Sequence, residues 1–212
     1  MNNRLPIAAA CLAATLLSST GKAAIATELT ASDRAQFETG NNVVVTVDKK
    51  DAVWPEVRIY RKVKASAEVI TDLFLDYEHA NTFINNLESA KVENEPDGNT
   101  KDVRYKVRLP IIFSITYLVR NHYEKTPNGY TVSWHLLEPP FAAKSAVGSL
   151  RVEAAGDGEA VICYTNHVEP ATRLIAGLRG HAVKEAAKTV DAIVKEAERR
   201  HAAHVALKPT TP

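Results

Sequence analysis

Cysteine is scarce in this chain, and its scarcity limits how the fold can be held together. Only Cys11 and Cys163 occur among the 212 residues, and Cys11 lies in an N-terminal apolar stretch that we expect to be removed. A single remaining cysteine forms no internal disulfide, so the mature fold must rest on its apolar core. Cys163 lies in a strand-like run, residues 160–164, which predicts a buried and unreactive thiol.

The chain also lacks the short motifs of common catalytic and metal sites. It contains no Gly-Lys phosphate loop, no Gly-x-Ser-x-Gly elbow and no paired-cysteine motif. Its seven histidines are scattered, and only His201 and His204 lie close in sequence, near the expected end of a helix. We therefore predict no metal site and no cofactor.

Neither sign of charge dominates. The chain has 26 basic and 25 acidic residues, a net charge of +1. Removal of residues 1–26 would take away Arg4 and Lys22 and no acidic residue, leaving 24 basic against 25 acidic side chains. Such a balance creates no long-range field for nucleic acid, so we expect no nucleic-acid partner.

The N-terminus has the pattern of a secretory signal peptide. Arg4 precedes an apolar stretch, residues 5–17, and small residues end in the cleavage-like triplet 24–26. Thirteen helical residues reach only ~20 Å, which is too short to span a membrane. We predict cleavage after Ala26, a lead segment over 27–41 and a periplasmic or secreted protein.

The body of the chain predicts a single domain over residues 42–205 and a disordered tail over 206–212. A β-branched strand over 42–48 and a strand over 56–63 precede a helix that Ser66 caps, and a second short helix is expected over 79–87. Strands then follow from about residue 89 to 168, and a long helix covers 172–201.

The links between the later strands differ in character. Tight polar turns lie at 96–99, 126–129 and 156–158, whereas the alternate links at 109–113 and 139–141 are apolar. Alternate links of an antiparallel meander lie at opposite ends of the sheet. The apolar end therefore predicts a mouth that admits a hydrophobic guest.

The long helix is expected to leave space beneath it. Its apolar stripe passes through Ala182 and Ala186, and empty apolar volume costs roughly 24 cal/mol per Å³. A ligand would explain such a cavity; alternatively, Trp134 and Tyr105 fill it. The residues predicted to line it are Tyr105, Val107, Leu109, Ile115, Tyr117, Asn121, Trp134, Leu136, Glu138, Leu150, Ile175, Leu178 and Ala182. Those predicted to form a gate that touches membranes are Ile111, Ile112, Phe113 and Phe141.

Polar residues on the predicted inner face are the candidates for chemistry. Glu138 falls at the apolar rim, where a raised pKa would suit a general acid or base; a head-group contact or a solvated residue are the other interpretations. Tyr105 and Tyr117 each place a hydroxyl on an apolar body, which suits one polar contact inside an apolar pocket.

The order of elements and two sequence stretches resemble the START-like (SRPBCC) superfamily. Residues 63–77, VKASAEVITDLFLDY, are similar to that family's strand, "A-S/P-x-E-x-V" turn and helix ending in an aspartate-aromatic pair, and 42–63 resembles its opening hairpin. The resemblance covers roughly 42–200. Residues 113–116 replace the family's arginine-aspartate pair, so no sterol-type anchor is implied.

The resemblance implies an α+β helix-grip fold, in which a curved antiparallel sheet of about seven to nine strands wraps around a long C-terminal helix. Three hypotheses follow. The first is a monomeric carrier of a lipid or other hydrophobic molecule that touches membranes transiently. The second is a cyclase or hydrolase that uses Glu138. The third is a protein-interaction module with a solid core and no cavity.

Overall fold

The structure is a computed structural model that describes residues 24–109 and 113–207. Its eight strands form one antiparallel sheet, in the order β1-β2-β8-β7-β6-β5-β4-β3. The strands are β1 Val43–Val47, β2 Glu56–Val63, β3 Leu87–Asp97, β4 Thr100–Arg108, β5 Ser114–Thr126, β6 Gly129–Glu138, β7 Ala143–Gly156 and β8 Glu159–Pro170. The predicted α+β helix-grip arrangement is confirmed.

The helices lie before, between and after the strands. They are α1 Ala24–Thr27, α2 Ala31–Glu38, α3 Ala67–Leu75, a 3₁₀ helix Tyr77–Thr82, α4 Arg173–Ala176 and α5 Arg179–Leu207. Ser66 caps α3 as predicted, since its side chain accepts a hydrogen bond from the Val69 amide. No helix in the described ranges is long and apolar enough to cross a membrane.

Two expected helices differ from those observed, and one observed helix was not predicted. The short helix expected over 79–87 is the 3₁₀ turn that begins at Tyr77, because β3 already starts at Leu87. The long helix expected from residue 172 is interrupted after Ala176, next to Gly177, and resumes as α5, which continues to Leu207. The lead segment over 27–41 contains the unpredicted helix α2, which begins after its N-cap Thr30.

Turn chemistry fixes the strand register at the polar end of the sheet. Gly156 pairs with Glu159, so Asp157 and Gly158 form a two-residue link between β7 and β8. Both link residues have positive φ, 50° and 76°, the conformation of the turn that matches the twist of a hairpin. The register of β8, which the sequence left open, places Ile162 on the inner face and Cys163 on the outer face.

The main core fills only the half of the sheet that lies near these polar turns. Val63, Val152 and Ile162 are each no more than 1% exposed there, and the middle of α5 packs on them through Val190 and Ile193. The other half of the inner face is not closed in this way, and there the cavity lies.

A second core lies on the outer face of the sheet, where α1 and α2 cover β1, β2 and β8. Ile25, Leu29 and Phe37 pack there against Tyr60 and Cys163. Cys163 is a free, buried cysteine, as predicted. The segment that the sequence indicates only as a lead is therefore part of the folded domain.

Replacing Phe37 by alanine should lower the free energy of unfolding by about 3–5 kcal/mol, because the Phe37 side chain is 2% exposed and its removal leaves a cavity. Chemical denaturation followed by circular dichroism measures this change. Glu38→Ala, an exposed position on the same helix, is the control. A loss of less than 1 kcal/mol for Phe37→Ala would show that α2 contributes little to the fold.

Candidate functional site: an apolar cavity under the C-terminal helix

A cavity of about 690 Å³ separates the inner face of the sheet from α3, the 3₁₀ helix and the first half of α5. That volume lies in the range of small-molecule sites, ~300–1,000 Å³. Eleven of the thirteen residues predicted to bind a ligand line it. They are Tyr105, Val107, Leu109, Ile115, Tyr117, Asn121, Trp134, Leu136, Ile175, Leu178 and Ala182.

Leu150 was predicted to line the cavity and does not. It pairs with Tyr164 on β8 and is 1% exposed within the main core. Alternation along β7 placed it correctly on the inner face, but it lies in the closed half of the sheet, whereas Ala146 on the same face of β7 reaches the cavity.

The prediction that Glu138 points inward is wrong. Leu118 pairs with Glu138 while Val119 pairs with Leu136, so β6 carries one extra residue, Leu137, at this point. Such a bulge reverses the alternation beyond it. Glu138 therefore lies on the outer face, where its side chain is 59% exposed and 2.8 Å from Arg104.

Trp134 forms the wall of the cavity, and a glycine makes room for it. The ring centroid of Trp134 lies 5.3 Å from that of Tyr164 and 5.8 Å from that of Phe74. A Cβ atom on Gly148 would stand 2.4 Å from the Trp134 ring and 2.4 Å from the Thr165 carbonyl oxygen. Gly148 thus lets the indole lie directly against β7.

Four tyrosine phenols reach the same cavity, those of Tyr77, Tyr105, Tyr117 and Tyr164. The rings of Tyr105 and Tyr117 stack with centroids 5.7 Å apart. Burial raises the pKa of Tyr117 to about 12 and also raises the pKa values of Tyr77 and Tyr164. All of these phenols are therefore neutral hydrogen-bond donors at physiological pH.

Tyr105 is the centre of this group. Burial raises its pKa well above the usual value, and the neighbouring phenols of Tyr77, Tyr117 and Tyr164 raise it further, while the Asn121 side chain acts in the opposite direction. The four tyrosines and Asn121 all line this one cavity.

Two asparagines supply the remaining polar groups on the sheet side. Asn121 is 4% exposed, and its amide nitrogen lies 3.4 Å from the Val119 carbonyl oxygen. Asn166 accepts from the Trp134 indole nitrogen at 3.4 Å. Both contacts are long for hydrogen bonds, so each carboxamide retains capacity for a further partner.

Several lining residues were missed by reasoning from the sequence. Tyr164, Asn166 and Val168 lie on the inner face of β8. Alternation along β8 identifies all three as inward-facing once the register of that strand is known. His181 and Glu185 line the cavity from α5 at i and i+4, a spacing that places them on one helix face.

The mouth of the cavity bears exposed apolar residues, as expected. Phe113 is 52% exposed, Phe141 59% and Leu178 43%, and the two phenylalanine rings lie 5.5 Å apart. Leu109 and Pro140 extend this rim into the cavity. The other two predicted gate residues, Ile111 and Ile112, lie outside the described residues.

The described residues contain no group of three or more histidine, cysteine, aspartate or glutamate side chains that could hold a metal ion. Glu185 faces the cavity, but its carboxylate is 2.7 Å from Lys188. The cavity has a largely apolar and aromatic lining that carries a few neutral hydrogen-bond donors.

Solved structures share this architecture at low sequence identity. A STAR-related lipid transfer protein from Xanthomonas axonopodis is 12% identical, with a TM-score of 0.64 over 74% of this chain and 98% of that one. The Zhui aromatase/cyclase from Streptomyces sp. R1128 is 18% identical, with a TM-score of 0.60 over 68% and 94%. Human STARD10 is 18% identical, with a TM-score of 0.57 over 82% of each chain.

Comparison of the sequence alone identifies no related family or protein. No family model matches the chain, and no curated protein matches it. The structural matches have identities below those at which function can be transferred, and they include both a lipid transfer protein and a cyclase. They show that this chain has the START-like helix-grip fold.

Proposed function

We propose that this protein is a carrier of a lipid or another hydrophobic small molecule, which it holds between the sheet and α5. The observation that supports this most directly is the 690 Å³ cavity with its largely apolar and aromatic wall. An apolar space of this size is costly to leave empty, and the few polar groups in it are suited to orienting one guest.

Native mass spectrometry tests the proposal. The full chain is expressed in a Gram-negative host, purified from the periplasm without detergent and sprayed gently. We expect a stoichiometric adduct that extracts into organic solvent and is recovered chemically unchanged after incubation with the protein. A bare polypeptide mass, also after incubation with total lipid extract, would overturn the proposal.

The two other hypotheses lose their main support. The interaction module predicted a solid core around Trp134, whereas Trp134 borders a cavity. The enzyme hypothesis rested on Glu138, which lies on the outer face beside Arg104. Conversion of an extracted ligand during incubation would restore the enzyme hypothesis.

We propose export from the cytoplasm as well, on the signal-like N-terminus. The structure bears on where processing would occur. Ile25 and Ala26 are 0% and 6% exposed, and the Ile25 amide donates to the Glu153 carboxylate at 3.0 Å. Cleavage after Ala26 would detach both residues from the core. Cleavage after Ala23, where residues 21–23 also read small-x-small, keeps them; the intact mass of the periplasmic protein distinguishes the two sites.

The apolar mouth supports a further part of the proposal, transient docking on an anionic membrane. Phe113, Phe141 and Leu178 are exposed together there. Lys144 follows Phe141 by three residues, and Arg173 and Arg179 flank Leu178 on the other side of the mouth. None of these basic residues lies within 4 Å of a carboxylate in the described ranges. Basic side chains that surround an exposed apolar surface are complementary to a membrane containing anionic lipid.

Replacing Phe113 and Phe141 together by serine should weaken vesicle binding by at least twentyfold, because each buried phenyl ring contributes ~1.5–3 kcal/mol. Sedimentation with phosphatidylglycerol vesicles measures the change, and pure phosphatidylcholine vesicles should bind the wild-type protein less. The control is Val147→Ser with Val205→Ser, which removes two exposed apolar residues outside the mouth. Unchanged sedimentation of the phenylalanine variant would exclude docking through this rim.

A further inference from the structure

The polar groups of the cavity are separated by type. All of the neutral donors named above lie on or against the inner face of the sheet, around Tyr105, Tyr117 and Asn121. The residues with basic or acidic side chains lie elsewhere on the wall. Arg108 ends β4 and has a 73% exposed side chain, while His181 and Glu185 lie in the first two turns of α5.

The donor cluster has free hydrogen-bonding capacity. Among the described residues, the hydroxyls of Tyr117 and Tyr164 make no side-chain hydrogen bond, and both half-buried residues border the cavity. Neither hydroxyl is an enclosed atom without a partner, so both are accessible from the cavity. A guest that places acceptor oxygens beside these phenols would accept hydrogen bonds from them.

The charge of the guest at this end follows from what surrounds it. Arg108, at the mouth end of β4, is the one charged sheet residue among the described residues that line the cavity, and the other lysine, arginine, aspartate or glutamate among those lining residues is Glu185 on α5. Burying a carboxylate, phosphate or ammonium group without a counter-charge is strongly unfavourable. The acceptor group that enters is therefore neutral, such as a carbonyl or an ether oxygen.

The shape of the guest follows from the wall. Trp134 lies between Phe74 and Tyr164, and Tyr105 stacks on Tyr117, so two groups of ring faces and edges border one space. Aromatic side chains interact with flat rings by offset stacking and edge-to-face contacts. A flexible acyl chain gains less from such a wall and loses more conformational freedom on binding.

Resting on the proposed carrier function, we propose that the cavity selects an uncharged, flat, ring-containing molecule. Its ring oxygens accept hydrogen bonds from the Tyr105, Tyr117 and Tyr164 phenols and the Asn121 amide. Any apolar extension points toward the mouth between Leu109 and Leu178, and the polar end of the guest enters first.

Four commercial probes separate the features of this proposal. Anthraquinone is flat, neutral and has two carbonyl oxygens; anthracene has the same shape and no oxygen; anthraquinone-2-carboxylate adds a charge; palmitate is an acidic acyl chain. Binding to the delipidated full-length protein is followed by quenching of tryptophan fluorescence, to which Trp134 contributes. We expect anthraquinone to bind at least tenfold more tightly than each of the other three.

Variants then connect this preference to the phenols. Tyr117→Phe and Tyr164→Phe keep the rings and should each weaken anthraquinone binding by about five- to tenfold, the size of one hydrogen bond, while changing anthracene binding by less than twofold. Tyr123→Phe, which does not line the cavity, is the control. Circular dichroism confirms that the variants are folded.

The possible failures are distinguishable. Equal affinity for anthraquinone and anthracene, tighter binding of palmitate, or an equal effect of Tyr117→Phe on both ring probes would overturn the ligand class and leave the carrier function standing. Binding of none of the four probes, together with a bare native mass, would overturn the carrier function itself.

Discussion

Replacing Ala146 by phenylalanine and Ala182 by tryptophan in one chain should abolish the uptake of hydrophobic ligands while the protein stays folded. Ala146 lines the cavity from β7, and Ala182 lines it from α5. The two new rings occupy the space that the alanines leave open. We expect the affinity for any guest of the cavity to fall by more than a hundredfold, which corresponds to about 2.7 kcal/mol of binding free energy.

The fold should tolerate these large side chains because they enter existing space. Overpacking a dense core costs ~1–3 kcal/mol, but here each ring gains contacts that an empty cavity lacks. We expect the free energy of unfolding to change by less than about 1 kcal/mol. Native mass spectrometry and thermal unfolding measure the two effects on one sample.

Ala203→Trp is the matched control for this variant. Ala203 lies on the same helix, α5, and is exposed, so it tests the addition of an indole without filling the cavity. Ligand that still copurifies with the double variant at the wild-type ratio would show that guests bind elsewhere. If the double variant does not fold, the single Ala182→Trp variant, which by itself narrows the mouth, takes its place in the same measurements.

The part of the site that the sequence predicted is the part fixed by strict alternation. Tyr105 and Val107 on β4, and Ile115 and Tyr117 on β5, face inward as expected because no irregularity interrupts the pairing of these two strands. Apolar alternation identifies the buried face wherever the register runs without a break. The same logic correctly placed Trp134 and Leu136 on β6.

Two failures have identifiable physical causes. Glu138 was misplaced because a bulge at Leu137 reverses the alternation, and the local sequence contains no glycine that would signal it. Leu150 was misplaced because alternation shows which face a residue occupies and not how far along the strand the core ends. That boundary depends on where α5 comes close to the sheet, which is a tertiary property.

The outer core was missed for a different reason. Helix α2 is mostly polar and presents one large apolar residue, Phe37, to the sheet. Periodicity cannot identify a helix with a single anchoring side chain. Its start was nevertheless readable, because Thr30 is followed three residues later by Asp33, and the Thr30 hydroxyl accepts from the Asp33 amide.

Raising the pH above 10 should destabilise the protein progressively and unfold it cooperatively before about pH 12. Burial raises the pKa of Tyr60 and of Tyr117 to about 12, and raises the pKa values of Tyr77, Tyr105 and Tyr164. Below pH 10 these phenols are protonated in both the folded and the unfolded state. Between pH 10 and about 12 the unfolded chain loses their protons while the folded protein retains them, so the folded state loses stability as pH rises.

The expected slope is large because several phenols act together. Each phenol lowers the free energy of unfolding by about 1.4 kcal/mol per pH unit in this window, so five phenols together lower it by roughly 7 kcal/mol per pH unit. Domains are commonly stable by only ~5–15 kcal/mol, and we therefore expect unfolding between about pH 11 and 12. Urea unfolding at pH 8, 9, 10 and 11 measures the slope, and phenolate absorbance should rise together with the loss of ellipticity.

A variant with both Tyr117→Phe and Tyr164→Phe tests where this sensitivity comes from. It removes two of the five phenols and should reduce the slope by about 2.8 kcal/mol per pH unit, moving the unfolding transition to higher pH. Gradual phenolate formation near pH 10 with unchanged ellipticity would show that the cavity phenols reach bulk water. A bound neutral guest should act in the opposite direction, since it stabilises the folded state in which the phenols remain protonated donors.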